Sequence, residues 1–122
     1  YGGSIYRFLP LPDEEPVVTA VAGVMQTSPR GFELDQNYPN PFNPSTMIRY
    51  SLGTGAVVDL TVYDILGRRV RTLASGLQTA GSRRVIWNGE DRAGRRSAPG
   101  VYLYRLSTDG VVRETRHMVL VK

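Results

Sequence analysis

A chain of 122 residues is long enough for one ordinary domain plus an arm, and too short for two independent cores. With 41% hydrophobic and 21% charged residues it has the balance of a globular domain rather than a disordered tail, and its lack of cysteine excludes disulfides and Cys-based zinc sites. The formal charge of +4 is almost wholly arginine, since Lys122 is the only lysine, and a mildly basic domain is a weak pointer to an anionic partner.

The chain opens on Tyr1 with no signal peptide, as expected of a processed chain or a cut fragment. Ser4 to Leu9 alternates, with Ile5, Arg7 and Leu9 on one side and Ser4, Tyr6 and Phe8 on the other. A strand so short needs a sheet to pair with. Residues Ile5, Tyr6, Arg7, Phe8 and Leu9 are therefore expected to close a preceding domain, or to form a strand-donating arm that adds to a sheet of this or a neighbouring copy. Pro10 to Pro16, with an acidic triplet, reads as a linker; Val17 to Val24 is β-prone; Ser28 to Gly31 breaks the pattern. The expected division is an extended arm, linker or domain end over 1–30 and a folded domain over 31–122.

Gln36 to Pro44 (QNYPNPFNP) carries prolines at 39, 41 and 44, each fixing φ and removing a backbone donor. Neither a helix nor a central strand fits there. The prolines push Tyr38, Asn40 and Asn43 towards extended geometry, while the asparagines favour tight turns. The expected product is a stiff segment with Tyr38 and Phe42 as aromatic anchors tucked against the sheets, which locks the seam with the arm and shields a sheet edge.

From Thr46 the pattern is period two. Strands are predicted at Thr46–Leu52 with Ile48, Tyr50 and Leu52 inward, at Val57–Asp64, at Arg68–Leu73, at Ser82–Asn88 with Val85 and Trp87 sharing a face, at Val101–Ser107 and at Val111–Val121. Asp64 to Gly67 and Thr108 to Gly110 read as hairpin connections. No stretch of 46–122 has helical apolar spacing. The fold class is thus all-β, a β-sandwich of about seven short antiparallel strands with an N-terminal extended arm, and Trp87 is the natural core centre.

The ordered set of motifs carries a resemblance. QNYPNPFNP with Thr46 and Ile48, Val62 to Asp64 with Gly67, Arg68 and Val70, Ala80–Gly81, Trp87 to Gly89 with Asp91 and Gly94, Gly100 to Tyr102 with Tyr104 to Leu106, and the closing Met118 to Lys122 together resemble the C-terminal sorting domain of bacterial type IX secretion. The resemblance covers about residues 31–122. Leu52 is followed by Gly53 where the family often has proline, and Pro99 stands where it often has Ser or Thr.

The resemblance implies an immunoglobulin-like sandwich, related to that of the flagellar hook-capping protein, at the end of a secreted protein of a Gram-negative bacterium. It implies an address without catalysis, read by an outer-membrane translocon, with a sortase-like peptidase that removes it and joins the cargo to surface lipopolysaccharide. The residues expected to be read are Tyr38, Pro39, Asn40, Pro41 and Phe42, with Met118, Val119, Leu120, Val121 and Lys122.

Other chemistry has little to stand on. His117 is the only histidine, no serine sits in a Gly-x-Ser-x-Gly elbow, and no cofactor or metal is expected. Asp64, Asn88 and Asp91 lie beside glycines and read as turn caps, not calcium ligands. The arginine pairs 68–69, 83–84 and 95–96 place neighbours on opposite faces and make no basic stripe, so nucleic acid is not an expected partner. Two alternatives stay open: a structural subunit of an extracellular filament whose arm pairs with a neighbouring copy, and a carbohydrate-binding module using Tyr63, Tyr102 and Tyr104 as exposed aromatics.

Overall fold

The computed structural model describes residues 31–122, so the expectations for Ile5–Leu9 and the rest of the arm lie outside the described residues. Seven strands follow in chain order: β1 Phe32–Leu34, β2 Thr46–Leu52, β3 Ala56–Asp64, β4 Arg69–Gln78, β5 Gly81–Trp87, β6 Gly100–Thr108 and β7 Val111–Leu120. All strand pairs are antiparallel, in a three-stranded sheet ordered β1-β2-β5 and a four-stranded sheet ordered β4-β3-β6-β7. The expected two-sheet all-β architecture of about seven strands is what forms.

Alternation decides which side chains enter the space between the sheets. On β2, Ile48, Tyr50 and Leu52 are buried and Arg49 is exposed. Val58, Leu60 and Val62 of β3 and Tyr102, Tyr104 and Leu106 of β6 face them from the other sheet. Trp87 sits in the middle, its ring centre 5.6 Å from that of Phe42 and 5.4 Å from that of Tyr102, in tilted and edge-on arrangements that aromatic quadrupoles favour. Its indole N–H donates to the Glu90 carbonyl at 2.9 Å, which removes the cost of burying that group.

The β6–β7 hairpin turns through Asp109 and Gly110 with φ of +53° and +80°, the two positive angles of a tight two-residue hairpin. Two strands differ from expectation. β1 has only three residues, too few for a periodic signal, and exists because Phe32, Glu33 and Leu34 pair with Leu52, Ser51 and Tyr50. β4 starts at Arg69 and continues past Leu73 to Gln78. Its second half, Ala74 to Gln78, pairs with β3 from Leu60 back to Ala56, so cross-strand hydrogen bonds sustain a stretch whose small side chains show no apolar alternation. Register shifts after Leu60 and after Val62 bend this pair, as bulges at sheet edges do.

Candidate functional site

The proline-rich segment joins the two sheets along one side of the sandwich. Where it leaves β1, the Tyr104 hydroxyl donates to the Asp35 carbonyl at 2.7 Å and accepts from the Asn37 N–H at 2.8 Å. The buried Asn37 side chain then donates to the Pro39 carbonyl at 3.1 Å and to Thr46 Oγ1 at 3.0 Å. Tyr38 and Met47 exchange backbone hydrogen bonds of 2.9 and 2.8 Å, which ties the segment to the three-stranded sheet. Four residues on, Phe42 N–H donates to the Val119 carbonyl and Val121 N–H donates to the Phe42 carbonyl, both at 2.9 Å, as a parallel bridge to β7. The Asn40 carboxamide oxygen takes the Val119 N–H at 2.9 Å. The Tyr38–Pro39, Asn40–Pro41 and Asn43–Pro44 peptide bonds are cis.

Further up the same edge, Gln36 Nε2 donates to the His117 carbonyl and Arg116 Nε to the Leu34 carbonyl, each at 2.7 Å. The outer backbone edge of β7 is thus occupied from residue 117 to residue 121. The expected shielding of a sheet edge is real, and the edge is that of the last strand in the sequence.

The two predicted stretches, 38–42 and 118–122, therefore form one surface. Within it the roles divide by alternation. Phe42, Met118 and Leu120 point into the core, and Val119 is half-buried. Tyr38, Pro39, Asn40, Pro41, Val121 and Lys122 are exposed. Tyr38 corrects the expectation of two tucked anchors: it is 75% exposed while Phe42 is 1% exposed. On an extended chain neighbours point opposite ways, and the inward place belongs to Asn37.

Beside this surface lies a groove of about 380 Å³ walled by Asn43, Pro44, Asn88, Gly89, Arg96, Ser97, Pro99, Leu120, Val121 and Lys122. Gly89 has φ of +80°, and a Cβ there would lie 3.0 Å from the Pro44 carbonyl oxygen, so this wall requires glycine. Its partner wall is held by the Ser97 N–H, which donates to the Gly89 carbonyl at 2.8 Å. Gly89 is legible in the sequence as part of the Trp87 to Gly89 motif and Arg96 as one of an arginine pair, but nothing in the pattern brings them together with Ser97 as walls of one groove. The groove combines an apolar floor from Leu120 and Val121 with carboxamides and two cationic side chains. That suits recognition of a polar chain better than bond-breaking chemistry.

Among the described residues no three His, Asp or Glu groups lie together as metal ligands. The expected aromatic platform for carbohydrate is not present: Tyr102 and Tyr104 sit on the inward face of β6 at 7% and 0% exposure, which leaves Tyr63 alone on the outer face. Asp64 and Asp91 do cap turns, Asp64 Oδ1 accepting from the Leu66 and Arg68 N–H groups and Asp91 Oδ1 from those of Ala93 and Arg95.

A profile of the FlgD Ig-like domain matches residues 45–110, more than half of the chain. Among curated proteins none matches. Among solved structures, dimeric latent PorU from Porphyromonas gingivalis is similar in fold over 88% of this chain and 10% of its own, with a TM-score of 0.62 and 20% identity. FlgD from P. aeruginosa is similar over 62% of this chain and 60% of its own, with a TM-score of 0.50 and 28% identity. PorZ of P. gingivalis, an essential bacterial surface component of the type-IX secretion system, aligns over 76% of this chain and 12% of its own at a TM-score of 0.49 and 21% identity, too slight a likeness to argue from. This chain thus spans a small part of PorU and less than two thirds of FlgD.

Proposed function

The chain belongs to the FlgD Ig-like domain family, and on that premise we propose that residues 31–122 are a non-catalytic sorting domain that directs an attached cargo through type IX secretion to the surface of a Gram-negative bacterium. The reading rests on the ordered motif resemblance over 31–122. The observation that carries it to a site is the joining of the proline-rich segment to the last strand through Phe42, Asn40, Val119 and Val121. Two stretches about eighty residues apart in sequence present one exposed patch of Tyr38, Pro39, Asn40, Pro41, Val121 and Lys122. An outer-membrane translocon would read that patch, a sortase-like peptidase would then act on the chain, and surface lipopolysaccharide would receive the cargo.

Removing residues 118–122 is a poor test, because Met118 and Leu120 are core residues and the domain would unfold. The triple variant Tyr38→Ala, Val121→Ser, Lys122→Glu changes only exposed side chains. With a reporter cargo fused ahead of the domain, the expected outcome is cargo held in the periplasm while the domain's thermal unfolding is unchanged. Surface display at the level of the unaltered domain would refute the patch as the element read.

A second reading is a filament subunit in which Ile5–Leu9 adds to a neighbouring copy. It is favoured by β5 and β4, edge strands of their sheets on the side away from the proline-rich segment. Chains lacking residues 1–12 are then expected to stay monomeric where the full chain assembles, and unchanged assembly would remove the idea.

A further inference from the structure

The outer face of the four-stranded sheet carries a polar cluster that the sorting reading does not use. Tyr63 of β3 lies beside Arg69 of β4, its register partner, and diagonal to Arg105 of β6, whose register partner is Thr61. The guanidinium carbons of Arg69 and Arg105 lie 5.8 and 4.8 Å from the Tyr63 ring centre. The two arginines are placed alike and treated differently. Arg69 is engaged through one nitrogen: its Nη1 donates to Thr61 Oγ1 at 3.3 Å and Thr72 Oγ1 at 3.1 Å and lies 3.9 Å from Asp59 Oδ2. Asp59 is engaged as well, since its other oxygen accepts from the Thr61 hydroxyl.

Arg105 has the ring and nothing else. Its Nε is sealed from solvent without a hydrogen-bond partner, which no other side-chain atom among the described residues is. Buried donors in native proteins are paired, and an unpaired one calls for a reason. Arginine keeps its charge at any working pH, and its fork of N–H donors matches a carboxylate or phosphate two oxygens at a time. The one carboxylate in the cluster is already taken by Thr61 and Arg69, so a positive charge is left over. A groove of about 430 Å³ opens over this place, lined by Asp59, Tyr63, Arg69, Ser75, Arg105 and Ser107 among others. Ser107 stands two residues from Arg105 on the same face of β6, and Ser75 lies across β3 from it, both opposite Asp59.

We propose that this groove is an oxyanion-binding site, in which Arg105 grips a carboxylate or phosphate group and the Ser107 hydroxyl supplies a further donor. The Tyr63 ring, with the guanidinium carbon 4.8 Å from its centre, restrains the Arg105 side chain, so little of its freedom is lost on binding. The stacked arginine, not an exposed aromatic row, is what this face offers to an acidic glycan. The site is independent of the proline-rich segment and stands whether or not that segment is read.

The test follows the arginine Nε–Hε resonances of the 31–122 domain by NMR while inorganic phosphate or sodium glucuronate is added, with sodium chloride at equal ionic strength as reference. A saturable shift of the Arg105 signal is expected with at least one of the two anions and none with chloride. A response to phosphate alone identifies a phosphorylated ligand, and a response to glucuronate alone identifies an acidic sugar. Arg105→Lys, which keeps the charge and loses the fork, is expected to weaken binding about tenfold, read in this variant from the backbone amide shift of Tyr63. Ser107→Ala, a small change that spares the stack, is expected to weaken it about threefold. Arg84→Ala, on the other sheet, should change nothing. No shift with either anion, shifts that chloride reproduces equally, or Tyr63 amide shifts that survive undiminished in Arg105→Lys and Ser107→Ala alike, overturn the proposal.

Discussion

Trp87 lies at the centre of the core. It is 1% exposed, packed at a tilt against Phe42 from the proline-rich segment and edge-on against Tyr102 from β6, and its N–H is satisfied. Trp87→Ala should cost about 3–5 kcal/mol in a urea unfolding curve, as truncation of a buried aromatic does, and a near-neutral result would place the core elsewhere. Tyr104 makes a pH-dependent contribution. Burial pushes its hydroxyl up from the ordinary 10.0 to about 12, because the charged phenolate would lose its water; the Asn37 N–H, which donates to the same oxygen, pulls the other way and only in part offsets it. A raised folded value means stability that is complete below pH 10 and lost as pH climbs towards 12. Tyr104→Phe should cost about 1–2 kcal/mol at neutral pH, and the difference between the two proteins should shrink above pH 10, read from midpoints in parallel denaturation curves. Trp87 could be read as core from its size and strand position. The clamp by Tyr104 could not, because its partners lie about seventy residues away and period two tells only which face it occupies.

Among the elements, two loops of one design brace the β3–β4 corner and the long β5–β6 connection. Asp64 to Arg68 and Asp91 to Arg95 both read Asp-x-x-Gly-Arg, with glycine φ of +83° in each. Each aspartate accepts two backbone N–H groups and pairs with its own arginine, at 2.7 Å for Asp64 and 3.3 Å for Asp91. The N–H of the fourth residue on, with help from the arginine charge, holds both carboxyls below the usual 3.8. A lowered folded value gives stability that is present above pH 3.8 and disappears as acid protonates the folded carboxylates. The double variant Asp64→Asn, Asp91→Asn keeps an acceptor at each cap and removes the charge. It should be less stable than the parent at about pH 5 and should converge with it by about pH 2, followed by thermal midpoint. The repeated spacing was visible as turn chemistry, and the caps follow from it. The length of β4 was not, because an edge strand held by backbone pairing to β3 needs no apolar pattern, and β1 escaped because three residues make no period.

For the whole molecule, the family match and the physical unit have different limits. The profile covers residues 45–110, yet the core draws Leu34 and Phe42 from before that span and Met118 and Leu120 from after it. β7 also closes the four-stranded sheet, and the proline-rich segment closes the edge of β7. A chain cut to 45–110 would bare Trp87 where Phe42 now covers it, expose the inward faces of β6 and β2, and leave β6 as an unpaired edge. Four large side chains at about 1.5–3 kcal/mol each exceed much of what holds a domain of this size together. Residues 31–122 alone are therefore expected to unfold in one cooperative step, with the near-ultraviolet circular dichroism of Trp87 lost together with the far-ultraviolet β signal. The 45–110 fragment should show no near-ultraviolet band at all. If that fragment kept a native Trp87 signal, the proline-rich segment would be an accessory laid on a finished sandwich. Loss of the signal would make the segment and β7 together part of the fold, so that any partner pulling on Tyr38 to Pro41 or on Val121 pulls on the core through Phe42 and Leu120.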